Sequence, residues 1–184
     1  MRHGESIANQ QGIIVSAPEN GLSDYGLSDS GQTNIKQSLE AGVLPQITHI
    51  ISSDFKRARE SAEIAQALLQ FNQDITFTEN LRERFFGDFE LKANDCYQIV
   101  WDNDAVNSAH TIDNVESADA VMDRTSSLIQ SIEKKFTGET FLLVSHGDAL
   151  QILQAAFHKS PASEHRLLPH LDTAEIRELV LTSP

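Results

Sequence analysis

Two histidines in this sequence are each followed by glycine and flanked by polar residues. One lies in Arg2-His3-Gly4, the other in Ser145-His146-Gly147-Asp148. A further basic pair, Lys56-Arg57, follows the short apolar stretch "THIISSD". If "THIISSD" and "TFLLVSH" are parallel strands and the amino terminus is a third strand exit, all three polar groups lie on one sheet edge. Two arginines and two histidines then meet. A neutral imidazole with one nitrogen pinned by a hydrogen bond offers the other as a nucleophile. Arginines grip phosphate oxygens with a bidentate fork and stay charged at any working pH. A second histidine can donate to a phosphoryl oxygen as charge builds in the transition state. The glycines let backbone approach a ligand closely. A departing alkoxide needs a proton, and Glu83 in "LRERFFGDFE" is the first candidate to supply it.

The chain has 184 residues, 40% hydrophobic and 22% charged, which suits one domain spanning 1–184 with its own core. A net charge of −13 argues against nonspecific nucleic-acid or anionic-membrane binding, both of which want a basic face. It leaves room for a small anionic ligand in a locally basic pocket. Cys96 is the only cysteine, which fits a reducing cytoplasm. No apolar run approaches the roughly 18 residues of a membrane span. No signal peptide is evident.

Residues 9–31, rich in Gly, Asn, Asp and Ser, read as a long loop. Ser28 or Ser30 caps a helix to about Ala41, and a second helix runs from Lys56 to Phe71 with Ala58, Ala62, Ala65, Leu68 and Leu69 on one side. "DITFTENL" reads as a strand, and 92–114 as a short helix and a loop. Val115 to Phe136 is an amphipathic helix with a stripe of Val121, Leu128, Ile129 and Ile132. "DALQILQAAF" is a helix after the "TFLLVSH" strand, and "EIRELVLT" is a closing strand. Helices alternating with short apolar strands predict an α/β, three-layer fold with a mostly parallel sheet. Ligands in such sheets sit beyond the carboxyl ends of the strands.

"RHGES", "SSDFKRARESA", "LRERFFGDFE" and "VSHGD", in that order, resemble the motifs of the histidine phosphatase superfamily, which includes the cofactor-dependent phosphoglycerate mutases. The resemblance spans residues 1 to about 155 and implies a phosphoglycerate mutase-like fold. It implies His3 as the nucleophile that becomes phosphohistidine, and Arg2, Arg57 and His146 as the phosphate pocket. Asn9 would donate to the phosphoryl group, Glu83 would be the proton donor and later the base, and the Gly147 N–H would be a further phosphate donor. It implies no cofactor and no metal.

Plainer readings stand beside these. Arg57 can be an exposed arginine paired with Glu60 or Ser61, and Glu83 can pair with a neighbouring arginine. Arg84 can contact the substrate's non-reacting anionic part. Asp148 is equally a helix N-cap or a ligand. Phe85, Phe86 and Phe89 read as core or pocket wall, and His49, His110, His158, His165 and His170 as structural or exposed.

The sequence departs from the family pattern in two places. The hydrophobic strand that precedes RHG in the family is absent before Arg2, so the first central strand is expected to be missing, with Met1 a former internal residue or the chain shortened. A neighbouring chain could also fill that gap. Phe86 stands where mutases commonly have tyrosine, and 92–123 lacks the basic insertion, which shifts the expectation from mutase to hydrolase. The expected activity is that of a histidine acid phosphatase-type phosphomonoesterase acting on a small phosphorylated metabolite or a phosphoprotein. The alternatives are mutase-type phosphoryl transfer and noncatalytic phosphate binding. Expected partners are a small phosphorylated substrate, with no nucleic acid and no membrane, for a monomer or homodimer.

Overall fold

A computed structural model describes residues 1–42 and 44–180. Seven α-helices are described: α1 (Ile7–Gln11), α2 (Pro18–Gly21), α3 (Asp29–Ala41), α4 (Lys56–Leu68), α5 (Cys96–Val106), α6 (Ala118–Lys135) and α7 (Gly147–Phe157). Three strands, β1 (His49–Ser53), β2 (Thr76–Thr78) and β3 (Phe141–Val144), form a parallel sheet in the order β2-β1-β3. This is the expected α/β architecture, with helices on both faces.

Strand alternation builds two cores. Ile50 of β1 and Leu142 and Val144 of β3 point to one face, against Ile35 and Leu39 of α3 and the alanine row Ala58, Ala62 and Ala65 of α4. Ile51 and Leu143 point to the other, against Ile132 of α6 and Leu153 of α7. The period of two in the strands meets a period near 3.6 in the helices, so each element buries one side. Alanines on α4 let that helix lie close to the sheet. Ser28 and Ser117 cap α3 and α6 by accepting from Gly31 and Ala120 N–H groups. No helix among the described residues is long and apolar enough to cross a membrane.

The stretch 9–31 is not one long loop. Ser6 and Asn9 close a capping box that starts α1, and Gly12 ends it in the left-handed conformation at φ 65°. Pro18 starts α2 from the first turn. Helices of five and four residues are too short to show hydrophobic periodicity, which is why turn-forming residues dominated the reading.

Where the first central strand is expected to be missing, residues 1–3 pair with the end of β3. Met1 O accepts from Ser145 N–H, His3 N–H donates to Ser145 O, and Arg2 bridges Ser145 in parallel. On its other side this segment meets the carboxyl-terminal chain, with Arg2 N–H donating to Glu175 O and Ala174 N–H to His3 O. The expected closing strand "EIRELVLT" is not a strand over residues 175–180; its last two residues lie outside the described residues. The reason is geometric. Among the described residues, 176–180 make no backbone hydrogen bond to the sheet, while Ile176 and Leu179 pack their side chains against the two cores.

The turn after His3 is clamped against α3. A Cβ on Gly4 would lie 2.6 Å from Gly31 O, and one on Gly31 would lie 2.0 Å from Glu5 O. Only glycine at both places allows this approach, which fixes where His3 emerges.

Candidate active site

His3, Arg57, His146 and Glu83 come together at the carboxyl end of the sheet, all nearly buried. His3 leaves the Met1–His3 segment, Arg57 sits in the first turn of α4 just past β1, and His146 caps α7 just past β3. Glu83 follows a 3-10 turn (Glu79–Leu81) that ends the β2 connection. Tight strand-to-helix turns therefore deliver three of the four.

His3 has a defined tautomer. Its Nδ1–H donates to Gly4 O at 2.6 Å, which leaves the Nε2 lone pair outward, where it accepts from Arg57 Nε at 3.1 Å. The His3 and His146 rings pack edge to face with centroids 5.1 Å apart. His146 Nε2 is 2.8 Å from Ser53 Oγ. Arg57 is not an exposed arginine: its Nη2 donates to Val15 O at 2.9 Å. Glu60 accepts from Leu27 N–H, and Ser61 Oγ accepts from Gly4 N–H while donating to the Arg57 main-chain O at 2.7 Å, so neither pairs with the Arg57 guanidinium.

Among buried side-chain polar atoms, Arg2 Nε, Arg57 Nη1 and His146 Nδ1 have no hydrogen-bond partner. Arg2 packs against Gly147, where an added Cβ would meet its guanidinium carbon at 3.4 Å. Unpaired buried donors are costly, and three gathered around His3 are what an oxyanion would satisfy. The amino end of α7 adds the Gly147 N–H, which has no intrahelical acceptor.

Asn9 lies near the start of α1, and its Oδ1 accepts from Ser6 N–H and Oγ, leaving Nδ2 unbonded. Glu83 pairs with no arginine in a direct bridge. Its Oε1 accepts from the N–H groups of Arg84 and Ala149 at 3.0 and 3.2 Å. Burial and the nearby Asp148 carboxylate raise its pKa, against the opposing pull of Arg57. Asp148 is neither an N-cap, a place taken by His146, nor turned to the histidines; it accepts from Trp101 Nε1 at 3.0 Å. Phe86 is buried core, edge-on to Tyr97.

Arg84 does not join the cluster. Its guanidinium is fully enclosed and bidentate to Asp104 at 2.6 and 2.8 Å, with Nε donating to Glu116 O. No exposed fork remains for a substrate, so the expectation of substrate contact gives way to a structural role. Arg84→Ala would leave the buried Asp104 carboxylate with only His110 Nε2, 2.8 Å away, as a close partner. The expected loss is about 3–5 kcal/mol in denaturant unfolding. A loss below about 1 kcal/mol would show that the pair is dispensable.

Buried bases also shape stability. Burial lowers the pKa of His3 and of His146 well below the usual histidine value, with Arg57 adding to the effect in both. Below the ordinary histidine value the unfolded chain binds these protons and the folded one does not, so stability rises with pH across that range. Glu83 works in the opposite sense, since its raised pKa lets the folded state hold a proton above the ordinary carboxylate range. Urea midpoints are expected to climb as pH rises toward the ordinary histidine value of 6.5; midpoints that fall over that range would give Glu83 the larger share.

Sequence reasoning passed over Ser53 and Val15, whose roles come from folding and not from any motif. It also read His170 as merely exposed or structural. In the structure His170 Nε2 sits 3.0 Å from Arg2 Nη1.

A parallel sheet delivering two histidines and an arginine to one edge is an arrangement able to hold a phosphoryl group. The whole-chain comparison agrees: residues 1–183 match the histidine phosphatase superfamily (branch 1). The chain belongs to that family. It is 35% identical over 174 residues to the probable phosphoglycerate mutase GpmB of Citrobacter koseri, covering 91% of this chain and 77% of the relative. Its fold is similar to that of a mycobacterial glucosyl-3-phosphoglycerate phosphatase, with a TM-score of 0.79 at 23% identity over 94% of this chain and 87% of that one. Bacillus stearothermophilus YhfR is similar at a TM-score of 0.74 and 26% identity, over 98% and 91% of the two chains.

Proposed function

We propose that this chain hydrolyses phosphomonoesters of small phosphorylated metabolites or phosphoproteins through a phosphohistidine. The observation that carries the reading is the set of three unpartnered buried donors, Arg2 Nε, Arg57 Nη1 and His146 Nδ1, gathered about a histidine whose tautomer leaves Nε2 as a lone pair.

In the first step the His3 Nε2 lone pair forms an N–P bond as the P–O bond to the leaving group breaks. Arg57 releases His3 because a phosphoryl oxygen is a better, charged acceptor for its N–H. Arg2, Arg57, His146, the Gly147 N–H and Asn9 Nδ2 hold the oxygens. Protonated Glu83 gives its proton to the departing oxygen. In the second step Glu83, now a carboxylate, takes a proton from water; the water oxygen bonds to phosphorus and the N–P bond breaks. Neither step calls on a metal or cofactor.

A mutase reading is favoured by the name of the 35% identical relatives. Against it stand the buried Phe86 and the lack of a basic cluster across 92–123. The single cysteine supports a cytoplasmic setting, and we read residues 1–184 as one catalytic unit, monomeric or homodimeric.

The test joins phosphoenzyme trapping to product analysis. Label from a reactive phosphodonor should survive alkali and be lost in acid. Phosphate should accumulate in step with substrate loss. Stable label with an isomerised monophosphate and little free phosphate would make the protein a mutase. Absence of label, with phosphate still bound, would make it a binding protein.

A further inference from the structure

We propose that His170 is a positioning residue that aims the Arg2 guanidinium at the phosphoryl group and releases it on protonation. This rests on the reading of Arg2 as a phosphate ligand.

The geometry starts from Gln151 on α7. Its Nε2 donates to His165 O at 3.0 Å and to Leu168 O at 2.9 Å, so its amide cannot be turned round. Its Oε1 therefore faces outward, accepting from Arg166 Nη1 at 2.8 Å and from His170 Nδ1 at 3.3 Å. A donor at Nδ1 makes His170 Nε2 the acceptor of the neutral ring. Arg2 Nη1, which can only donate, lies 3.0 Å from that Nε2 and 2.7 Å from Leu171 O.

Both hydrogens of Nη1 are thus engaged. What remains of the guanidinium is its Nε–Nη2 side, the edge that forms a bidentate fork to an oxyanion. Nε on that edge is buried and unpaired. Two acceptors on one nitrogen fix the rotation of the planar group, and so fix where the fork points.

Protonation of His170 would place an N–H and a positive charge against the Nη1 donor. The tether would become a repulsion, and the fork would lose one of its two anchors. His170 is exposed, so protons reach it. The charged groups around it are Arg2, Arg166 on the 3-10 segment Ala162–Leu167, Asp172 on its own segment, Asp148 on α7 and Arg177, whose Nη2 donates to His170 O at 2.8 Å. Burial, Arg2 and Arg166 hold its pKa below the ordinary histidine value, with the two aspartates opposing. The tether is therefore intact near neutrality and lost on the acid side.

The test titrates inorganic phosphate into the full chain by calorimetry from roughly pH 5 to 8, comparing the parent with His170→Gln and His170→Ala. Glutamine can place an oxygen acceptor near the Nε2 position and does not titrate. At the upper pH, His170→Ala should weaken phosphate binding roughly tenfold and His170→Gln should stay near the parent. Toward the lower pH the parent should weaken relative to His170→Gln; phosphate's own titration is common to all and cancels in the ratio. Equal affinity of His170→Ala and parent at the upper pH would overturn the proposal. So would a constant parent-to-glutamine ratio across the range. Phosphate binding that follows this pattern without turnover would remove the hydrolytic reading and keep this one; a parent that binds no phosphate would remove both.

Discussion

His3→Ala is expected to abolish the alkali-stable phosphoenzyme and to cut turnover by roughly 10⁴-fold or more. The size follows from the bond that is lost. On the proposed mechanism the other groups stabilise charge, whereas His3 Nε2 makes and breaks the bond to phosphorus. The neighbouring imidazole is not equivalent. His3 Nδ1 is pinned by Gly4 O, which commits Nε2 to the unprotonated form, whereas His146 Nε2 contacts Ser53 Oγ and its Nδ1 is a buried atom without a partner. On the proposed mechanism Ser53 Oγ–H donates to Nε2, which leaves the His146 Nδ1–H to donate to a phosphoryl oxygen. His146→Ala should accordingly keep label on His3 while slowing its formation about 10²–10³-fold, as for loss of one oxyanion donor. Mass mapping of the labelled peptide reads the difference. Label retained in His3→Ala and lost in His146→Ala would exchange the two roles.

The parts of this site that the sequence made legible are those held by short local geometry. RHG and SHG each place a histidine at a strand exit, and the apolar runs before Asp54 and His146 are true parallel strands. Their burial on both faces makes them continuous apolar runs, a pattern that survives in sequence. Arg57 was legible as a reactive residue because it follows such a strand by a fixed turn. What was hidden depends on distance in the fold. His170 lies 168 residues from Arg2, and no local pattern ties a histidine in an irregular segment to an arginine at the far end of the chain. Arg84 shows the converse. It stands beside Glu83 in sequence, so it reads as part of the site, yet its side chain runs the other way into Asp104. The closing strand failed for a related reason. "EIRELVLT" has strand propensity, but a strand needs a ladder, and after Glu175, which accepts from Arg2 N–H, residues 176–180 make no backbone bond to the sheet.

Glu83→Gln is expected to leave folding and phosphate binding close to the parent while lowering turnover of alkyl phosphates about 10²–10⁴-fold. The reason lies in which oxygen carries the proton. Oε1 already accepts two backbone N–H groups, from Arg84 and Ala149, so the acid proton resides on Oε2. Glutamine keeps an Oε1 for those two donors and puts an amide in place of the acid. It preserves the scaffold and removes only the transferable proton. Burial and Asp148 hold the parent's Glu83 pKa above the usual carboxylate value, so a working fraction is protonated where a surface glutamate would be ionised. The defect should depend on the leaving group. Nitrophenolate departs without a proton, so the first step with nitrophenyl phosphate should remain fast. The second step still needs a base for water and should stall. The expected record is a burst of about one nitrophenolate per site followed by a slow phase, with phosphohistidine accumulating. The parent should show no such accumulation, and its rate should fall on the alkaline side as Glu83 loses its proton before the first step. Equal losses for alkyl and nitrophenyl substrates, with no burst and no trapped phosphohistidine, would take the proton-transfer role away from Glu83 and leave it as a buried strut between the Arg84 and Ala149 amides.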